Sequence, residues 1–242
     1  MTDGGKSRRI RSYVLRPGRM TPVQKHALEE HWTRWGLEYG SGVLSSDAVF
    51  GRPGPVVLEI GFGMGQSLLA MAQARPEANF VGIEVHKPGV GKLLHAIESR
   101  GVGNIRIYRH DAVEVLRDCI SDASVDTVQI FFPDPWHKTR HHKRRLIQPV
   151  FVDQLIRKLK PGGIVHLATD WEDYALQMMD VLSAMGGLAN TCGNGQYAPR
   201  PEYRPLTKFE MRGERLGHGV WDLVFTRTDS AEASANPGKT QQ

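Results

Sequence analysis

Val56-Val57-Leu58-Glu59-Ile60-Gly61-Phe62-Gly63-Met64-Gly65 decides the reading of this chain. Val56 to Ile60 is a short apolar run with branched residues, the pattern of a strand buried on both faces. Gly61 to Gly65 then forms a glycine-rich turn, able to bend tightly and to let a ligand approach the backbone. Gln66 to Ala74, ahead of Pro76, predicts a helix whose first N–H groups face that turn. Strand, glycine turn and helix in succession open an α/β unit.

Working outward, the same alternation repeats. Strands are predicted at Phe80 to Val85, Ile105 to Tyr108, Val125 to Phe132, Ile164 to Thr169 and Val220 to Arg227. Between them, helices are predicted around Leu93 to Ser99, closed near Gly101, then at Ala112 to Ile120, Ile147 to Lys160 and Trp171 to Met185. Pro161-Gly162-Gly163 is expected to stop the helix before it. Short links between alternating elements imply a mostly parallel sheet covered on both faces. Ligands of such sheets bind at the carboxyl ends of the strands. There the chain places Gly61 to Gly65, Glu84, Asp111, Asp134 and Asp170.

The flanks differ. Residues 1–20 are basic and lack apolar periodicity, so a mobile, disordered arm is expected. Residues 21–55 begin with a helix: Thr21, Pro22 and Gln24 make a capping box with proline at the first position. Leu28, Trp32 and Trp35 share its apolar face, and Gly36 to Pro55 reads as a loop. Residues 56–228 hold the main domain, and 229–242 form a polar tail, also expected to be disordered.

Composition narrows the classes. The chain has 242 residues, 40% hydrophobic and 24% charged, enough for a sizeable core. A formal charge of +5 is a mild excess, but it is concentrated at Arg8 to Arg19 and Lys138 to Arg145, which points to a polyanionic partner. Cys119 and Cys192, the two cysteines, support neither a disulfide framework nor a cysteine metal site. No secretory signal or membrane span is written in the sequence, and a cytoplasmic protein is expected.

The acids at the strand ends indicate the ligand. The turn lacks the third glycine of Gly-x-Gly-x-x-Gly, and Glu59 is awkward beside a pyrophosphate. A carboxylate there suits a cationic ligand, and S-adenosylmethionine carries a sulfonium and an ammonium. Glu84, about 20 residues beyond the glycines, stands where an acid takes ribose hydroxyls. Asp111 is placed to accept a bond from the adenine amine. Glu84 and Asp111 read equally as helix-initiating acids.

Phe131-Phe132-Pro133-Asp134-Pro135-Trp136-His137-Lys138 brackets one carboxylate with prolines, which stiffen the backbone around it. A cationic run follows, ending His142-Lys143-Arg144-Arg145. These segments, the glycine turn and Thr207-Lys208-Phe209-Glu210 together resemble the bacterial tRNA (guanine-N7)-methyltransferases, from about Trp35 to Arg227. The resemblance implies a class I, Rossmann-like methyltransferase with a mostly parallel seven-stranded sheet, using S-adenosylmethionine. It implies methylation of N7 of guanine 46 in the tRNA variable loop, giving 7-methylguanosine. By motif position, Glu59, Glu84, Asp111 and Asp134 would line the cofactor and catalytic site, with Gly61, Gly63 and Gly65 in its turn. Lys138, Asp170, Thr207, Lys208, Phe209 and Glu210 would contact the substrate.

The chemistry adds its own demands. Guanine N7 has a free lone pair, so no strong base is required, and Asp134 reads as the group that orients guanine and stabilises its growing charge. Arg140, Lys143, Arg144 and Arg145 are candidate phosphate contacts. Trp136 either stacks on the base or anchors the loop. His137 and His141 share metal-ligand spacing, but neighbouring cations oppose a divalent ion, and no metal is expected. Asp170 has a competing reading as a helix cap. An exocyclic-amine methyltransferase, a non-catalytic tRNA-binding protein and a dehydrogenase stand as alternatives. No obligatory protein partner is expected, with monomer or homodimer left open.

Overall fold

The computed structural model describes residues 11–14, 18–206, 210 and 219–229. Its strands are β1 (Gly36–Leu37), β2 (Val56–Ile60), β3 (Asn79–Ile83), β4 (Ile105–Tyr108), β5 (Val125–Phe131), β6 (Leu159–Thr169), β7 (Leu188–Asn190) and β8 (Trp221–Arg227). They form one sheet in the order β1-β4-β3-β2-β5-β6-β8-β7. Neighbours are parallel from β1 to β6, while β8 runs antiparallel to both β6 and β7.

The expected architecture is present with eight strands rather than seven. Two strands had no place among the six read from the residues: the two-residue β1, which pairs Gly36 and Leu37 with Ile107 and Tyr108 at the sheet edge, and the three-residue β7. Two residues carry no periodicity, so a strand so short has no signature of its own. The stretch expected as a loop from Gly36 to Pro55 therefore contains β1 and a short helix, α2 (Ser46–Phe50).

The longer helices follow their sequence signals. Helix α1 (Pro22–Trp35) opens on the expected capping box: Gln24 N–H donates to Thr21 Oγ1 at 3.3 Å, and Thr21 N–H to Gln24 Oε1 at 2.8 Å. Helices α3 (Gln66–Ala74), α4 (Lys87–Arg100), α5 (Ala112–Cys119), α6 (Pro149–Lys158) and α7 (Glu172–Ala184) fill the gaps between strands. Gly101 caps α4 in the left-handed conformation (φ 63°). After α6 the expected stop is displaced. Lys158 is the last helical residue, and Leu159 already pairs with Val125, so Pro161 to Gly163 lie inside β6, where the ladder to β5 shifts register.

Alternate residues of β2 enter different cores. Val56, Leu58 and Ile60 join the cluster beneath α5, α6 and α7, whereas Val57 joins Leu68, Leu94 and Trp35 beneath α1, α3 and α4. The sheet is thus covered on both faces, which leaves its strand ends as the open edge of the sandwich. Among the described residues no helix is long and apolar enough to cross a membrane. The expectations for residues 1–10, 15–17 and 230–242 lie outside the described residues.

Candidate active site and nucleic-acid interface

From β2 the chain runs outward to β3 and β4, then returns to β5 on the other side of β2. The carboxyl ends of β2 and β5 diverge there, leaving the crevice in which α/β sheets bind ligands. A cavity of about 210 Å³ occupies this point, reached by Gly61, Glu84, His110, Asp111 and Asp134. Strand ends far apart in sequence thus converge on one cavity.

The glycine turn is held by its own backbone. Gly61, Gly63 and Gly65 have φ of 76°, 57° and 72°, a region that suits glycine alone. Gly65 N–H donates to the Phe62 carbonyl at 2.8 Å and Gly65 caps α3. Glu84 fastens the turn to β3. One carboxylate oxygen accepts Gly63 N–H at 2.8 Å, the other Val85 and His86 N–H at 2.7 and 2.9 Å. Asp111 caps α5 by accepting Val113 N–H at 2.9 Å, as its helix-initiating reading expects, and it also lines the cavity. Glu59 is buried beneath the turn with Oε2 unpartnered among the described residues. Burial, reinforced by the charge of Glu84, pushes its carboxyl up to about 8. Glu59 was expected to line the site but is not among the residues lining the cavity; a buried acid missing a partner beneath the turn suits a cationic neighbour.

Asp134 stands exposed at the rim, in a turn of unusual backbone. Phe132 and Trp136 have φ of 52° and 48°, a region bulky residues avoid. Phe132 N–H donates to the Ala168 carbonyl at 2.8 Å, which ties the turn to β6. Trp136 proves an anchor: its Nε1 donates to the Ser12 carbonyl at 3.1 Å, and the Arg144 guanidinium covers one ring face at 3.9 Å. Arg144 also donates to the carbonyls of Arg11 and Tyr13, at 3.2 and 3.1 Å. Tyr13 lines the cavity with Ser12, and burial together with the nearby Asp111 carboxylate raises its hydroxyl above the ordinary range. The expectation of a mobile arm therefore does not extend to Arg11, Ser12 and Tyr13.

The basic segment divides by exposure. Lys138, Arg140 and Lys143 are exposed around a short 3-10 turn, Thr139–Arg144, whereas Arg145 is buried. Arg145 was expected among the phosphate contacts; instead it donates to Pro135 O, Gln177 Oε1 and Asp173 Oδ2 at 2.8, 2.5 and 2.5 Å. That arginine braces the turn carrying Asp134 against α7. Asp170 is exposed, and the cap of α7 is Trp171, so the capping alternative for Asp170 is not met. Glu210 is 2% exposed and paired with Arg204 at 2.6 Å, away from solvent. Thr207, Lys208 and Phe209 lie outside the described residues.

Residues 53–223 match the family described as "Putative methyltransferase". The chain is 55% identical over 230 residues to the tRNA (guanine-N(7)-)-methyltransferase of Ectopseudomonas mendocina, covering 95% of this chain and 97% of that protein. It is 57% identical over 220 residues to the enzyme of the same name from Pseudoalteromonas atlantica, covering 91% and 92%. The chain belongs to the tRNA (guanine-N7)-methyltransferase family. Among solved structures, the 16S rRNA methyltransferase KamB superposes with a TM-score of 0.56 at 17% identity, covering 80% of this chain and 99% of that one, a likeness of fold.

In this methyltransferase family member, several site residues had escaped sequence reasoning. Gly89 carries no motif, yet a Cβ there would lie 1.9 Å from the Gly63 carbonyl oxygen. Its only signal is a Pro88-Gly89 pair opening α4. Ser12 and Tyr13 belong to an arm without periodicity. Arg204 and Asp222 form a buried ion pair whose members are 18 positions apart. No spacing rule joins them.

Proposed function

We propose that this chain transfers a methyl group from S-adenosylmethionine to N7 of guanine 46 in the tRNA variable loop, acting in the cytoplasm. The observation that carries the reading is the convergence of Glu84, Asp111 and Asp134 on one cavity at the β2/β5 switch point, in a chain of this family. Bound there, S-adenosylmethionine would supply a methyl on a sulfonium: the N7 lone pair would take the methyl carbon as the C–S bond breaks, S-adenosylhomocysteine leaving with that electron pair and no proton having to leave the guanine.

The chain's residues divide that task. Glu59 offers its unpartnered buried oxygen to the positive end of the cofactor. Glu84, already fixed by backbone donors, keeps its remaining lone pairs for ribose hydroxyls, and Asp111 faces the adenine. Asp134 accepts bonds from the guanine edge and offsets the charge that grows on the purine as the new N–C bond forms. Because N7 is already a lone-pair donor, an exposed carboxylate that orients the base is adequate. Lys138, Arg140 and Lys143 present exposed cations to the phosphates, while the exposed Asp170 adds a substrate contact. Arg144 and Arg145 instead hold the loop's shape.

Asp134→Asn keeps the shape and removes the charge. With unmodified tRNA it is expected to lower kcat by at least about 10²-fold while leaving the affinity for S-adenosylhomocysteine within severalfold. Unchanged turnover would refute the role. A tRNA whose variable-loop guanine is replaced by adenine is expected to accept no methyl group.

A further inference from the structure

Behind the aromatic end of β5 lies a group of buried ionisable side chains that neither the cofactor nor the guanine chemistry uses. Arg204, 1% exposed, heads the largest fully buried side chains. Its Nε and Nη2 fork onto Asp222 of β8 at 2.7 and 2.9 Å, and Nη1 lies 2.6 Å from Glu210 Oε1. Asp222 also accepts from His166 Nε2 of β6 at 2.7 Å, and the Tyr203 hydroxyl donates to the other ring nitrogen at 2.9 Å. Aromatic rings close the cluster. His166 meets Phe131 edge-on with centroids 4.8 Å apart, and the Arg204 guanidinium stands 5.9 and 5.7 Å from the ring centres of Phe131 and Phe132.

Stability is a poor explanation for this arrangement. Desolvating an ion pair costs several kcal/mol per ion, and well-packed hydrocarbon is often as stable in its place. A bidentate arginine fork does supply a fixed geometry, because its planar donors accept one arrangement of a carboxylate. Next to it lies a segment that needs fixing. Phe132 at φ 52° and Trp136 at φ 48° flank Asp134, and such conformations persist only where the surrounding structure enforces them. Ala168 holds Phe132 by one backbone bond, Arg145 holds Pro135, and the Arg204 cluster packs against the Phe131 and Phe132 rings.

We propose that Arg204 is a positioning residue for methyl transfer. By joining Asp222, Glu210 and the Phe131–Phe132 rings in one buried cluster, it sets where Asp134 stands relative to the cofactor cavity. Glu210 accordingly acts through Arg204 rather than by touching tRNA. The proposal rests on the reading of Asp134 given above, and its test separates the two.

Arg204→Lys retains the charge and loses the fork; Glu210→Gln leaves the Arg204–Asp222 fork in place. Each full-length variant is assayed with unmodified tRNA well below its melting temperature, beside calorimetry with S-adenosylhomocysteine and a circular-dichroism melt. Arg204→Lys is expected to lower kcat roughly tenfold to a hundredfold, with the tRNA KM and the S-adenosylhomocysteine affinity within about threefold of the parent. Glu210→Gln is expected to act in the same direction, and the double variant to be no slower than the slower single one, as for residues working through one cluster. A folded Arg204→Lys protein with parental kcat overturns the proposal, as does a loss confined to S-adenosylhomocysteine affinity. A Glu210→Gln effect confined to tRNA KM and additive with Arg204→Lys also overturns it, making Glu210 a substrate contact. If Arg204→Lys does not fold, the kcat-against-KM split of Glu210→Gln decides. Asp134→Asn runs in parallel: full activity there fails the reading of Asp134, whereas an inactive Asp134→Asn beside an unaffected Arg204→Lys fails the positioning role alone.

Discussion

Gly89 lies so close to Gly63 that a Cβ on it would stand 1.9 Å from the Gly63 carbonyl oxygen. The first turn of α4 therefore rests directly on the glycine turn at the cavity, and the two can approach only because position 89 has no side chain.

Gly89→Ala must push the turn away from α4. The substitution is expected to lower the affinity for S-adenosylhomocysteine about tenfold or more and to destabilise the fold by roughly 1–3 kcal/mol. Calorimetry and thermal unfolding measure the two. Parental affinity would show that the turn does not shape the cofactor site.

Glu59 makes cofactor binding depend on pH. Its carboxyl is raised from 4.5 to about 8 by burial and by Glu84. Between those values the folded state holds a proton that the unfolded state has lost, so Glu59's contribution makes stability fall as pH rises, the fall being complete above about 8. A cationic ligand favours the ionised form. Binding of S-adenosylmethionine near pH 7 is therefore expected to release nearly one proton, and Glu59→Gln to abolish that release. Calorimetry in buffers of different ionisation enthalpy reads it directly.

Trp136 holds Ser12, and Arg144 holds Arg11 and Tyr13. Trp136→Phe keeps an aromatic ring and loses the donor. Trypsin cleavage after Arg11 is expected to quicken roughly fivefold, about the net worth of one hydrogen bond. Mass spectrometry of the early digest measures it. An unchanged rate would mean that the bond does not hold the arm in solution.

Two neighbouring cations are expected to behave oppositely. Lys143 is exposed, and Lys143→Ala should reduce the slope of log tRNA affinity against log salt by about one, without changing the melting temperature. The Arg145 side chain is 1% exposed and paired with Asp173. Arg145→Ala should cost about 1–3 kcal/mol of stability by leaving the part-buried Pro135 carbonyl and Gln177 without their donor. A salt slope altered by Arg145→Ala in a fully stable protein would reverse the assignment.

Much of the fold was legible because its signals are local. Branched apolar runs of strand length, the capping box at Thr21 and the glycine after Arg100 each act within a few residues, and each appears where its chemistry requires. Elements that depend on a partner were not legible. Strand β1 exists because β4 offers an open edge, and β6 begins at Leu159, through Pro161 and Gly163, because β5 supplies the ladder.

The same division runs through the site. Glu84, Asp111 and Asp134 stand at strand ends, and strand ends in a parallel sheet share one rim, so the sequence by itself placed these three at one cavity, whereas Glu59, inside β2, is buried and does not line it. The sequence also determined that the partner would be anionic, since the cations around Lys138 to Lys143 are written as a run. Only the tertiary structure decided which of those cations face outward, that Arg145 turns in, that Ser12 and Tyr13 close one side of the cavity, and that Arg204 meets Asp222. The physical reason is that periodicity and capping are interactions between chain neighbours. Burial, ion pairing and close backbone approach depend on what lies across the sheet, and that is set only when the strands have taken their order.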